Sequence, residues 1–335
     1  MLKEYIYLSS IFLLFFFLIE KKICSSFFPI DKPDYFKKKH SKPTPLSGGI
    51  YIYIYIVSVF TYIYFFSNEN LEKLKVIIIM STMSFLIGLY DDKYFFRPIT
   101  KLFLNGVIIF FFINNYNFLN ITILNSSILD FKLSLGFYSF FFSTLCFLLL
   151  INALNMTDGI NSLSTGISII WLTAIIYFFN PTYLKLIIII NLFLIYIFFK
   201  IFRQNFFLGD SGTHLLSTFI GGLIVYEYNL QSSEIYVEKI FLILSIPGID
   251  MLRLFIQRIY NKKNPFSGDR NHLHHILIDN FSLKTSLIIY YLIMIVPILL
   301  NEILIKNYIF SIILILFLYF FLIIYLKLIK PLKST

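Results

Sequence analysis

Five stretches of the chain hold most of its side chains capable of chemistry. Asp91 and Asp92 are adjacent in Gly88-Leu-Tyr-Asp91-Asp92-Lys-Tyr-Phe-Phe-Arg97-Pro98-Ile-Thr-Lys101. Neighbouring carboxylates at the end of an apolar run repel each other, and a divalent cation offsets that repulsion. Asn152, Asn155 and Asp158 recur every third residue in Asn152-Ala-Leu-Asn155-Met-Thr-Asp158-Gly159-Ile-Asn161-Ser-Leu. On a helical turn they share one face. Asp210 stands between two glycines in Phe207-Leu-Gly209-Asp210-Ser-Gly212-Thr213-His214. Alone it reads as a helix N-cap, and the glycines also permit a phosphate or metal to approach a helix N-terminus. A later stretch carries Pro247-Gly-Ile-Asp250, Arg258 and Asp269-Arg270-Asn-His272-Leu-His274-His275. Three His in four residues could be a zinc tract, yet no Cys or Glu stands nearby to complete a tetrahedral set. Arg270 beside them points to an anion instead. The first stretch, Asp31 to Gly49, contains Lys42, three prolines after residue 32 and a Gly pair. It reads either as a basic loop against lipid headgroups or as a rigid turn bringing N–H groups and lysine to an anion.

The elements that must position these residues follow from composition. The chain has 335 residues, of which 58% are hydrophobic and 14% charged, and its mean hydropathy is +0.81. Soluble domains carry about 25% charged residues, so a soluble or disordered protein is excluded. The apolar runs are continuous, which argues against a β-barrel. They fall at 5–19, 46–66, 74–90, 99–114, 136–153, 160–179, 183–199, 213–229, 235–252, 284–305 and 307–328. The expectation is an all-α polytopic membrane bundle of about eleven helices forming one domain over residues 1–335. Residues 115–135 read as a loop with strand-like alternation, a candidate hairpin. Asp250, Glu227 and Glu302 fall near span ends, so no ionisable group occupies a span centre, unlike in a transporter. With only Ala153 and Ala174 as alanines, close helix contacts must rest on Gly and Ser. Cys24 and Cys146 make no disulfide framework. Glu20-Lys21-Lys22 follow the first run where a signal-peptide cleavage site would need small residues.

Charge gives orientation. Of the 28 Lys and Arg residues, 21 lie in the loops after odd-numbered spans and in the C-terminal tail. That side is expected to be cytoplasmic, with the N-terminus outside and the C-terminus inside. The net charge of +10 is this bias plus attraction to anionic lipids, and nucleic acid is not expected as a partner. Nine of the ten Asp and all five His fall on the cytoplasmic side, whereas seven of the eight Glu fall on the other. Solvated loops would not sort Asp from Glu. Short carboxylates gathered with His and Lys suggest a metal and phosphate site at the inner surface.

The five motifs, in this order and on one side, resemble those of the polyprenyl-phosphate N-acetylhexosamine-1-phosphate transferases (glycosyltransferase family 4). The resemblance covers about residues 31–275 and is nearest the WecA/TagO-like branch. It implies transfer of a sugar-1-phosphate, GlcNAc-1-phosphate by preference, from a UDP-N-acetylhexosamine to undecaprenyl phosphate. UMP is released and a cell-envelope glycan is begun. It implies Mg2+, with Mn2+ as a substitute, and a bacterial inner-membrane enzyme whose site faces the cytoplasm. Membrane lipids are expected as surroundings, and a homodimer is left open. By motif, Asp91, Asp92 and Asp158 match catalytic carboxylates, with Asp91 and Asp210 as metal ligands. Lys42, Lys101, Asn152, Asn155, Asn161, Arg270, His272, His274 and His275 match substrate-binding positions. Two departures stand out. The third motif usually continues Asp-Gly-x-Asp-Gly-Leu, whereas here Asn161 replaces the second Asp. Lys200 stands where relatives often carry Asn ten positions before the metal Asp. The run Arg270-Asn-His272-Leu-His274-His275 differs from the three consecutive His of the phospho-MurNAc-pentapeptide translocase branch, so UDP-MurNAc-pentapeptide is the alternative donor, and a non-catalytic membrane lipid-binding or transport protein is the alternative of another class.

Overall fold

Long runs of Ile, Leu and Phe, broken by Asn, Pro, Gly and charged residues, make helices that satisfy their own backbone polar groups, as a bilayer requires. In the computed structural model, residues 29–31, 43–67, 70–231, 235–265, 270–305 and 307–329 are described. In chain order the helices are α1 (Gly48–Phe66), α2 (Glu72–Tyr94), α3 (Pro98–Asn115), α4 (Ser139–Thr157), α5 (Leu163–Phe178) and α6 (Leu184–Phe202). They continue as α7 (Gly209–Leu230), α8 (Val237–Tyr260), α9 (Leu273–Asn280), α10 (Leu283–Leu300) and α11 (Tyr308–Ile329). Eight of the described helices are long and apolar enough to cross a membrane. The protein is an all-α polytopic bundle, as expected. The first expected span, 5–19, and Lys42 lie outside the described residues.

The bundle is organised around α7, in which every residue from Ser211 to Tyr228 is buried. Its Ser217 and Thr218 hydroxyls donate back to the carbonyls of Thr213 and His214 one turn earlier, which removes their polarity from the core. Helices α2 and α7 touch backbone to backbone. A Cβ on Gly88 would lie 2.5 Å from the Asp210 carbonyl oxygen, and one on Gly49 would lie 2.3 Å from the Gly212 nitrogen. Ahead of α7, Phe207 and Leu208 accept the backbone N–H groups of Gly48 and Gly49 at 2.9 and 3.0 Å. The Gly pair of the first motif is therefore the start of α1, laid against the entrance to α7. Gly88→Ala is expected to destabilise the bundle by about 1–3 kcal/mol through overpacking against backbone that cannot move aside. Thermal melting in detergent reads this, and an unchanged midpoint would refute the contact.

At the other end of α7 the expected hairpin is present. Strands β1 (Ile123–Ser126) and β2 (Phe131–Ser134) pair antiparallel. Glu238 on α8 accepts from the Ser126 hydroxyl and from the Ser127 and Ile128 N–H groups at 3.2 Å. The Tyr228 hydroxyl on α7 accepts the Asn125 N–H and donates to the Ile123 carbonyl, both at 2.9 Å. Two expectations are corrected. Helix α8 continues to Tyr260 rather than ending near 252, so Asp250 lies inside a helix and is buried at 2% exposure. Its charge is tolerated because donors surround it. The stretch after His272, expected as loop, winds into α9.

Candidate active site

The N-terminus of α7 needs partners for its first N–H groups. Its N-cap residue, Leu208, has no side-chain oxygen to offer. Carboxylates from two other segments supply them. Asp92, at the end of α2, accepts the N–H of Asp210 at 2.7 Å and of Ser211 at 3.1 Å. Asp158, just past α4, is hydrogen-bonded by the Gly209 N–H and by the Ser164 hydroxyl. Gly209 has φ +77°, and a Cβ there would lie 2.8 Å from Asp92 Oδ2, so both conformation and space require glycine. Asp210 is therefore not the cap: Asp92 takes that role and leaves the Asp210 carboxylate to face inward.

There it meets two other motifs. Lys101, in the first turn of α3, places Nζ 2.6 Å from Asp91 Oδ2 and 2.8 Å from Asp210 Oδ2. Asn155 Nδ2 donates to Asp210 Oδ1 at 2.8 Å and to Thr213 Oγ1 at 3.1 Å. Asp91 also accepts the Phe96 N–H, which fixes the turn into α3. The sequence placed Asn152 on the same face as Asn155, but its side chain donates to the Leu148 carbonyl of its own helix at 2.7 Å. It joins no other motif.

Does this set suit a divalent cation? The Asp91 and Asp210 oxygens are hard donors of the type Mg2+ takes. They already share one positive charge, the Lys101 ammonium, at hydrogen-bond distance. Both oxygens of Asp92 are engaged by backbone N–H groups. The residues present fit the group, with Asp91 and Asp210 able to hold it and Asp92 supporting from behind.

Beside this cluster is a cavity of about 470 Å³, lined by Asp158, Gly159, Asn161, Gln204, Arg270 and His275 among others. Gly159 packs on the His loop: a Cβ there would lie 2.6 Å from His274 Nε2. Burial pushes the Asp158 carboxyl up to about 8, and the Asp210 and Asp92 charges act in the same direction against the Ser164 hydrogen bond. Burial also pulls His275 down to about 4, helped by His272 and Arg270, and holds His274 well below its ordinary range. Both rings are thus neutral in the fold, while the unfolded chain takes up protons near 6.5. The unfolded state binds more protons between about 6.5 and 4, so stability is lost as pH falls through that window. His275→Gln is expected to recover about 2–3 kcal/mol of the acid loss. Melting points at pH 7.5 and pH 5 check this, and an unchanged acid loss in the variant would contradict it.

Residues 74–227 match the model of the family described as Glycosyl transferase family 4. A Salmonella typhi protein named undecaprenyl-phosphate alpha-N-acetylglucosaminyl 1-phosphate transferase is 26% identical over 281 residues, covering 81% of this chain and 75% of its own length. Proteins of the same name from Escherichia coli K12 and Yersinia pestis are 26% and 23% identical over 284 and 282 residues. They cover 81% and 82% of this chain, and in each case 75% of the relative. Over residues 74–227 the chain is similar to the glycosyl transferase family 4 proteins. The family match spans the Asp pair, Lys101, the Asn155–Asp158 turn and Asp210, and ends before the His loop.

Several residues in and around this site were not assigned from sequence. Gln204 lines the cavity but sits in an unremarkable Arg-Gln-Asn turn. Arg253 and Tyr319 both contact Asp250. Arg253 follows Asp250 at i+3, a readable spacing. Tyr319 lies in an apolar helix without any signal.

Proposed function

We propose that this chain transfers GlcNAc-1-phosphate from UDP-GlcNAc to undecaprenyl phosphate, releasing UMP, at the cytoplasmic face of a bacterial inner membrane. The observation that carries the reading is the convergence of Asp91, Lys101, Asn155 and Asp210 at the α7 N-terminus, beside a cavity that Asp158, Asn161, Arg270 and His275 line. The names of the relatives support the reaction and its lipid acceptor. The bias of Lys and Arg to the site side supports the membrane face.

The reaction brings two anions together. Lys101 and Arg270 lower the repulsion between lipid phosphate and nucleotide diphosphate, Arg270 with a planar fork suited to phosphate oxygens. Asp91 and Asp210 would hold Mg2+, which when bound neutralises diphosphate oxygens and stabilises the leaving UMP. Asp158 has a carboxyl that titrates near neutrality at the cavity wall, suited to taking the proton of the lipid phosphate. Asn161 offers the nucleotide a hydrogen-bonding amide in place of a second charge. The test is UMP release by purified protein in detergent with Mg2+ and undecaprenyl phosphate. UDP-GlcNAc and UDP-MurNAc-pentapeptide are offered separately. Release with UDP-GlcNAc alone is expected, and release only with the pentapeptide would overturn the choice of sugar.

A further inference from the structure

Asp250 takes no part in the cluster around Asp210, yet its carboxylate is enclosed by four donors. Oδ1 accepts from the Tyr319 hydroxyl at 2.6 Å, Arg253 Nη2 at 2.9 Å and the Leu273 N–H at 3.2 Å. Oδ2 faces Nδ1 of His272 at 2.8 Å. Arg253 is held in turn: Nη2 donates to the Asn271 carbonyl at 2.6 Å and Nε to the Tyr319 oxygen at 2.7 Å. The network ties α8, the turn into α9 and α11 together, and its core is buried. Asp250 is 2% exposed, His272 6% and Tyr319 0%.

An ionised carboxylate only accepts. In a neutral His272 the proton therefore sits on Nδ1, and Nε2 carries the lone pair. The ring belongs to the His cluster that borders the cavity. It stacks on His274 with centroids 5.3 Å apart and lies 6.4 Å from His275, a residue of the cavity wall. We propose that Asp250, braced by Arg253 and Tyr319, is a positioning residue that fixes His272 as its Nδ1–H tautomer. Nε2 is thereby kept as an acceptor for a hydroxyl or amide N–H of the donor sugar. This role rests on the transferase reading above. Asp250, His272 and His274 also offer three ligand atoms within 4.8 Å of one another. A metal on the Asp250 carboxylate would compete with its Arg253 and Tyr319 donors. The tautomer reading leaves every one of these contacts intact.

The test uses full-length protein in detergent and two readouts. In the first, UMP release is compared for Asp250→Asn, His272→Asn and the double variant. Each single change is expected to lower kcat about 10²-fold, as lost support of a functional histidine does. The double variant should be no slower than His272→Asn, because both changes remove one function. Multiplying losses would assign Asp250 a separate structural role and overturn the proposal. Tyr319→Phe, which keeps the packing, is expected to cost about fivefold. It serves if Asp250→Asn does not fold, and an unchanged rate would count against the brace. In the second readout, 15N-histidine spectra recorded at alkaline pH and assigned with His272→Asn should show the His272 proton on Nδ1 and none on Nε2. This requires no turnover. A protein inactive on every donor but with that tautomer would defeat the transferase reading and the sugar contact with it, and leave the hold of Asp250 on His272 standing. A proton on Nε2, or a stoichiometric metal lost on Asp250→Asn, would overturn the inference.

Discussion

Asp210→Asn is expected to lower UMP release about 10³-fold with little change in thermal stability. The carboxylate accepts from Lys101 at 2.8 Å and from Asn155 at 2.8 Å. An amide would lose the negative charge that Lys101 and a bound cation require, and it would set one NH2 against another donor. Removing a preorganised charge at a reacting diphosphate costs a factor of this size. The fold should persist because Asp210 does not cap α7. Asp92 does, through two backbone N–H groups. Asp92→Asn should therefore behave differently and lower both rate and melting point, with about 1–2 kcal/mol of stability lost with the charged cap. Rate and melting measurements on the two variants separate these roles. Equal melting losses in both would show that the division of labour is wrong.

Asp158→Ala should abolish turnover, whereas Asn161→Asp should retain it. Asp158 binds the α7 entrance through the Gly209 N–H and lines the cavity. On the proposed mechanism its loss removes both a proton carrier and the support of that turn. Asn161 stands at the same wall, and an Asp there matches the motif of the family that the chain resembles. A dead Asn161→Asp variant would refute the second half. The pH profile adds a sign. Burial raises Asp158 to about 8, so below that pH the carboxyl is increasingly protonated. If the ionised form takes the proton of the lipid phosphate, kcat/KM rises with pH and levels off above about 8. A wild-type profile flat between pH 6 and 9 would remove Asp158 from that role.

Much of this was legible in the chain itself. Helix boundaries followed from apolar runs closed by Asn, Gly, Pro and charge, and the hairpin from alternation around Asp130. The motifs were visible as residue types, but the division of work within them was not. Asp91 and Asp92 are equivalent neighbours in sequence. About 100° of rotation per residue turns one toward Lys101 and the other toward the α7 backbone. The three-residue spacing of Asn152, Asn155 and Asp158 promised one shared face, yet Asn152 is satisfied by its own helix. Asp250 looked like a residue near a span end because apolarity fades there, while α8 continues to Tyr260 on the strength of its tertiary contacts. Tyr319 is one aromatic among many in α11, and only packing reveals that its hydroxyl reaches Asp250.

The glycine contact between α2 and α7 bears on how the molecule breathes. With the Asp210 carbonyl oxygen 2.5 Å from where a Cβ on Gly88 would stand, there is no side-chain layer between the backbones to slide or repack. The two helices carry Asp91, Asp92 and Asp210 and so move as one rigid body. Amides of Asp210 and Ser211, already bonded to Asp92, should be among the last in the protein to exchange with deuterium, opening only with the whole bundle. Arg270 and His275 line the cavity through their side chains, and the amides of that wall are expected to exchange sooner.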